Sequence, residues 1–528
     1  MYIKPLSLAF ACLFTFVSFA QQKNTFNLGS ELLIPKKSET LLFTSNNENG
    51  VVHLSLKKDM LHVSQIDGQT LKTNNEKEII LNDAIQKMEL ENIITLGHQY
   101  FWLTRDWDKK SKTENLYATE IDIKKGGLIT NNQPIIQSDK VVSTTTSKTD
   151  FPTTFLNNYK YYLNADSTKL LVNYRIVPQY KRDIKSYDKI GLFVFDQHMK
   201  KIWGDEFVMP YTEAMMDFVD YTVDNNGDVY MLAKVFDAAY TNSKERTTAH
   251  FEIFKFTKDN KTPIIVPVNF GQDVLLSPRF VQNNKNEIFY TTTYSKRNKN
   301  RGIAGIYIGK LNKQTLTVEN YNGGYYDFPK QELVNAETKA VKNKIDNVDD
   351  YEVRSMNIKN IITEDDGSFL FCFEENYTKT TNTTKSIIVD YYCDDIFVVR
   401  IDKNGRFHWL KKIQKHQEGA GSYIYGDVGF KLMNDKYGYY FLYMDNSKNQ
   451  NLGPEDERHL YNTKTKQKQL IVSKIDIDGN LTKEVLFDIG KEDFSINPLH
   501  IKKINETEYV GRLWVRPYTY RPVLIKFN

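Results

Sequence analysis

Residues Ile396 to Ile401 form an apolar, β-branched run that ends at Asp402-Lys403-Asn404-Gly405, and Phe407-His408-Trp409 starts a second run. Asp and Asn favour turns because their side chains bond to nearby backbone, and Gly accepts positive φ without a steric penalty. The stretch therefore reads as strand, turn, strand. What constrains the fold most is that this unit recurs, in NLYATEIDIKKGGLIT from Asn115, GLFVFDQHMKKIW from Gly191, FEIFKFTKDNKTPI from Phe251, GIYIGKLNKQTLTV from Gly305 and LIVSKIDIDGNLTKEVLF from Leu470, with a shorter copy, MLHVSQIDGQTLKT, from Met60.

A second hairpin precedes these copies. It is clearest in DYTVDNNGDVYMLAKVF from Asp220 and NIITEDDGSFLFCFEE from Asn360, and weaker from Ile94, Tyr161, Arg279, Lys431 and His500. Two consecutive hairpins make a four-stranded antiparallel sheet, here repeating every roughly 50 to 80 residues. Radial repetition of such sheets gives a β-propeller, which protects its strand edges by closing a ring. The expected fold class is all-β, an eight-bladed propeller, with seven blades as the alternative if the weak first unit is an extension. The last unit supplies three strands, and Thr25 to Ile34 is expected to add the fourth and lock the termini together.

Asp224-x-x-Gly227-x-x-Tyr230, and Asp395-Ile-Phe-Val followed by Ile401-Asp402-x-x-Gly405 and Trp409, resemble the repeats of bacterial secreted β-propeller proteins of uncharacterised role. The resemblance covers blades four and six well and the others loosely. It implies a fold and no activity.

Composition agrees with the strand reading: Tyr 33 and Phe 31 stand against 14 Pro. A formal net charge of +4 excludes a bulk electrostatic nucleic-acid binder. Lys4, the apolar run Leu6 to Phe19 and the small-x-small Ser18-Phe19-Ala20 read as a secretory signal peptide over residues 1–20. Residues 21–528 are then expected to form a single propeller domain, periplasmic, with the extracellular space or cell surface as the alternative. The expected chain is monomeric and has no transmembrane anchor. A short surface helix is expected as an insertion near residues 331–346, where Leu333, Val334, Val341 and Ile345 fall at near-helical spacing. Cys372 and Cys393 flank a turn around Asn382 at nearly equal distances. A cross-strand disulfide or two buried thiols both fit that spacing.

The connections between second and third strands are long and polar in most blades, and in a propeller they share one face. That is the usual place for binding on a rigid scaffold. These segments hold 20 basic and 11 acidic residues. The candidate ligand-binding residues are Arg105, Trp107, Tyr180, Lys181, Arg182, Lys296, Arg297, Lys299 and Arg301. The aromatic ones would stack a sugar ring and the SKRNKNRG cations would favour an anionic glycan. No His-Glu-x-x-His pair or Cys/His metal spacing occurs, so neither metal nor cofactor is expected. Asp476-Ile-Asp478-Gly479 has its glycine in the wrong place for a calcium loop and reads as a hairpin turn. The functional expectation is an exported, non-enzymatic binding or scaffold module of the cell envelope, taking a protein, peptide or anionic glycan. The alternative is a propeller glycoside hydrolase or lyase, for which Asp217/Asp220 and Asp349/Asp350 are the candidate carboxylate pairs.

Overall fold

The computed structural model describes residues 24–46, 50–129, 133–143, 147–148, 154–155, 158–178, 185–237, 249–268, 274–296, 302–335, 337–348, 351–354, 356–382, 387–420, 428–462, 464–490 and 495–527. Eight antiparallel sheets follow one another along the chain and close into a ring. Within each blade, strands A to D are hydrogen-bonded in that order.

Blade 1 runs Glu39–Asn46, Gly50–Lys57, Met60–Ile66 and Thr73–Ile80, a complete sheet that decides for eight blades over seven. Blade 2 holds Glu89–Leu96, Gln99–Asp108 and Thr113–Asp122, with strand D split between Gly127–Ile129 and Ile136–Ser138. Blade 3 comprises Lys160–Leu163, Lys169–Arg175, Tyr187–Asp196 and Lys201–Thr212. Blade 4 follows with Met216–Val223, Val229–Phe236, Ala249–Thr257 and Asn260–Val268. In blade 5 strand A is split into Val274–Leu275 and Arg279–Gln282, ahead of Ile288–Ser295, Gly305–Leu311 and Val318–Asp327. Blade 6 has Met356–Thr363, the long pair Phe369–Asn382 and Ile387–Ile401, then Phe407–Ile413. Blade 7 has Lys431–Asp435, Gly438–Asn446, Lys468–Asp476 and Leu481–Asp488.

Blade 8 is built from both ends of the chain. Ser495–Ile496 and Lys502–Lys503 form strand A, Glu508–Arg516 strand B and Thr519–Lys526 strand C. Thr25–Leu28 and Leu32–Leu33 pair with strand C as the outer strand, in the register Thr25 opposite Lys526. The expected N-terminal closing strand is thus in place.

The repeated turn has one mechanism. Asp402 Oδ1 accepts the N–H groups of Asn404 and Arg406 at 2.9 and 2.8 Å. Asp224 and Asp476 do the same two and four residues ahead. The fourth residue is left-handed, Gly227 at φ 88° and Gly479 at 88°, which Gly adopts without a Cβ clash. Asn286 and Met199 occupy the same position in blades 5 and 3 at φ 61° and 59°.

The core lies between blades rather than within one. Val194 and Trp203 of blade 3 pack with Val223, Met231 and Phe256 of blade 4, and Cys372 and Val398 of blade 6 with Phe441 and Ile471 of blade 7. The ring closes through Phe43 and Val51 of blade 1 against Val510 and Leu524 of blade 8. Each such side chain contributes roughly 1.5–3 kcal/mol by leaving water. The indoles latch the same seams: Trp203 Nε1 donates to Gly227 O at 2.7 Å and Trp409 Nε1 to Ile477 O at 3.2 Å.

One sequence expectation changes here, and the two alternatives for the cysteines are decided. The helical insertion is two short helices, Lys330–Asn335 and Lys339–Asp346, whose Leu333 and Ile345 are buried with Phe328, Met356 and Phe373, so the segment is packed onto blades 5 and 6 and not merely laid on the surface. Cys372 and Cys393 are two buried free thiols. Cys372 stands opposite Val398 and Cys393 opposite Asn376, because the hairpin turns beyond Asn382, between Asn382 and Ile387, and not around Asn382. No helix among the described residues is long and apolar enough to cross a membrane.

Candidate functional site

Because neighbouring strands run antiparallel, the B–C and D–A connections emerge on one face and the A–B and C–D turns on the other. The turn face is built of short connections, two to six residues each. The other face varies more: the B–C connection is two residues in blades 1 and 8, but spans 176–186 in blade 3, 237–248 in blade 4, 296–304 in blade 5 and 447–467 in blade 7. In blade 6 strands B and C themselves run on, pairing in register out to Asn382 opposite Ile387 as a β-ribbon. Gln417–Ala420 adds a third strand to it, with Tyr392 opposite Glu418.

This ribbon brings aromatic, acidic and basic side chains of three strands together with the imidazole of His416, just ahead of the third. Tyr377 and Tyr392 are directly opposite, and their rings stack 4.9 Å apart at 4°. Lys379 Nζ sits 4.3 Å from the Tyr392 ring centre. Asp394 accepts from the Tyr377 hydroxyl at 2.8 Å and faces His416 Nδ1 at 2.7 Å. The hydrogen bond and charge of Asp394 outweigh burial and raise the His416 pKa. Tyr392 donates to Glu418 at 3.2 Å, and Glu418 also accepts from Asn462 of blade 7 at 3.1 Å.

Buried charges fix the base of the ribbon. Lys415, fully buried, bonds Glu374 at 2.8 Å, Cys393 O at 2.7 Å and the Gln417 side chain at 2.9 Å. Strand A of blade 6 carries a bulge at Lys359, one extra residue between the Ile358 and Asn360 pairs. It turns the Lys359 ammonium onto Glu374 at 3.3 Å. Lys412 is held between Glu337 and Asp395, 2.7 Å from each. Burial and the nearby Asp395 and Glu337 charges push the Glu375 carboxyl above the usual carboxylate range, against the pull of Lys412.

The sequence candidates are dispersed. Arg105 faces inward: its guanidinium bonds Glu89 and Glu114, and Nε lies 3.6 Å from the fully buried Glu91. It is a framework cation rather than a surface contact, because three glutamates surround a side chain only 13% exposed. Trp107 is exposed at the end of the same strand, with Lys140 Nζ 5.9 Å from its ring. Lys296 is paired with Asp327 at 2.8 Å, and Glu352 staples both ends of the SKRNKNRG segment by accepting from Lys296 N and Gly302 N. Tyr180, Lys181, Arg182, Arg297, Lys299 and Arg301 lie outside the described residues.

Of the carboxylate pairs, Asp349/Asp350 also falls outside the described residues. Asp220 spends its oxygens on the N–H groups of Tyr221 and of Phe280 in blade 5, a clamp between blades. Among the described residues no group of three His, Cys, Asp or Glu is placed to hold a metal ion.

No family model matches the chain, and no curated protein matches it. It is similar to solved structures only distantly. A protein of unknown function from Dyadobacter fermentans is 8% identical over 74% of this chain and 98% of that one, with a TM-score of 0.31. A polysaccharide lyase, a PL25 ulvan lyase, is 12% identical over 81% and 90%, with a TM-score of 0.37. The Dos1 propeller is 8% identical over 94% of each chain, with a TM-score of 0.38. None of these likenesses carries an argument about what this chain does.

Proposed function

We propose that this chain is an exported, non-enzymatic binding propeller of the cell envelope that takes a glycan on its loop face, with the blade 6 ribbon as the principal contact. The observation that carries the reading is the stacked Tyr377/Tyr392 pair beside Asp394, Glu418 and Lys379. Aromatic rings pack the C–H faces of sugars, and neighbouring carboxylates accept from their hydroxyls. The stiff ring below supplies preorganisation, so little ordering entropy is lost on binding. Export rests on Lys4, the apolar run Leu6 to Phe19 and Ala20, with the periplasm as the default compartment and the cell surface as the alternative.

A glycan array probed with the mature protein tests this. Tyr377→Ala and Tyr392→Ala should each weaken capture at least about tenfold, the loss of a stacking contact of roughly 1.4 kcal/mol or more. Capture of no glycan, or capture indifferent to both substitutions, contradicts it.

The Asp394–His416 contact favours one second reading, a lyase or hydrolase that moves a proton through His416 Nε2, which has no partner among the described residues. Incubation with the captured glycan separates the two readings. Shortened products that vanish in His416→Gln mark the enzyme; an intact glycan marks the binder.

A further inference from the structure

The helical insertion and the blade 7 B–C connection meet over the seam between blades 6 and 7. Lys342 of the second helix bonds Glu455 of the blade 7 B–C connection at 2.6 Å, and Gln414 Nε2 donates to Pro454 O at 2.6 Å. Beneath them lies a cavity of about 460 Å³, walled by the outer strand of blade 6 from Leu410 to Ile413, by Gln414 just past its end, and by Tyr443, Ser473 and Lys483 of blade 7. The first helix closes one side through Glu332, and the blade 7 connection another through Leu452 and Arg458.

Four cations line this cavity, and three have carboxylates. Lys412 has Glu337 and Asp395 at 2.7 Å, Lys483 has Asp445 at 3.0 Å, and Lys411 has Glu332 at 3.8 Å. Arg458 has none among the described residues. Its Nη2 donates to two neutral acceptors, the Gln414 side chain and Gly453 O, while Nε and Nη1, both buried, donate to nothing among the described residues. A guanidinium carries five N–H donors and stays charged, so an uncompensated one at a cavity wall is costly unless an anion completes it.

We propose that the blade 6–7 cavity is an oxyanion site in which Arg458 takes a carboxylate, sulfate or phosphate group, with Lys411 alongside. The proposal stands on a different surface from the tyrosine ribbon and does not depend on it.

The mature protein is titrated with sodium sulfate, sodium phosphate and sodium glucuronate against sodium chloride at equal ionic strength, followed by calorimetry and by melting temperature. Saturable binding is expected for at least one of the three, weakened at least about tenfold in Arg458→Gln and unchanged in Lys285→Gln on the opposite face. Tighter glucuronate points to a sugar-borne anion, and tighter sulfate or phosphate to a free one. Without ligand, Arg458→Gln should melt no lower than the wild type, since it removes an unpaired charge. Absence of saturable binding by all three, binding equal in Arg458→Gln, or a lower melting point of that variant with no anion effect would overturn the assignment. Should Arg458→Gln not fold, Arg458→Lys, which keeps the charge but loses the fork of donors, should bind the same anion measurably more weakly, and binding equal to the wild type would overturn the assignment.

Discussion

Glu91 Oε1 accepts the backbone N–H of Tyr159 at 2.9 Å, joining strand A of blade 2 to the chain as it enters blade 3. A bulge at Glu91, between the Leu90 and Asn92 pairs, aims the side chain there. The carboxyl is completely buried, and burial pushes its pKa from 4.5 up to about 7 despite Tyr159 N–H and Arg105. A raised carboxyl binds more protons folded than unfolded. Stability is therefore lost as pH rises from the unfolded value through the folded one, with a ceiling of roughly 3 kcal/mol from this group. Thermal melts between pH 5 and 8 should show a shallower decline for Glu91→Gln, which keeps an acceptor for Tyr159. Parallel curves for variant and wild type would refute the assignment.

The left-handed turn glycines should differ in their tolerance of alanine. A Cβ on Gly227 meets nothing closer than 3.6 Å, so Gly227→Ala should cost about 1 kcal/mol, the backbone conformation alone. A Cβ on Gly479 comes within 2.9 Å of the Trp409 ring, itself held by Ile477 O. Gly479→Ala should cost about 2–3 kcal/mol. Urea midpoints in the reverse order would contradict the account of the blade 6–7 seam.

Both cysteines should stay reduced even in an oxidising compartment, since neither faces the other across the ribbon. Burial raises the pKa of both thiols. Alkylation should be slow in native protein, and in the chain lacking residues 1–20, and with them Cys12, two thiols should react once it is unfolded without reductant. A single disulfide peptide by mass spectrometry would overturn the register.

Removing residues 24–33 strips the outer strand from Thr519–Lys526 and leaves an open edge. The truncated chain should melt lower and self-associate, as unpaired edges do. Light scattering that finds it as dispersed as the full chain would argue against closure by the N-terminal strand.

The architecture was legible because its signals are local. An Asp with a left-handed residue three positions on makes its own turn, so Asp224, Asp402 and Asp476 announce hairpins wherever they stand. The site was less legible because its partners are remote. The Thr- and Asn-rich stretch after Tyr377 reads as a loop, yet Tyr377 to Asn382 continue as strand, and only that register sets Tyr377 against Tyr392. His416 lies 22 residues from Asp394 and meets it only after strand D of blade 6 has returned. Arg105 had the opposite fault: it looked like a loop cation, and the bulge at Glu91 that pulls it inward leaves no mark in the sequence. A pair of aromatics flanking a turn at mirrored spacing, Tyr377 and Tyr392, was the one available hint.

Hydrogen–deuterium exchange with and without the captured glycan tests the placement of function most directly. Protection is predicted in Glu374 to Asn382, Ile387 to Asp395 and Lys415 to Ala420, the three strands of the blade 6 ribbon. Protection confined to the turn face, at 224–228, 402–406 and 476–480, or none anywhere on the ribbon, would contradict it.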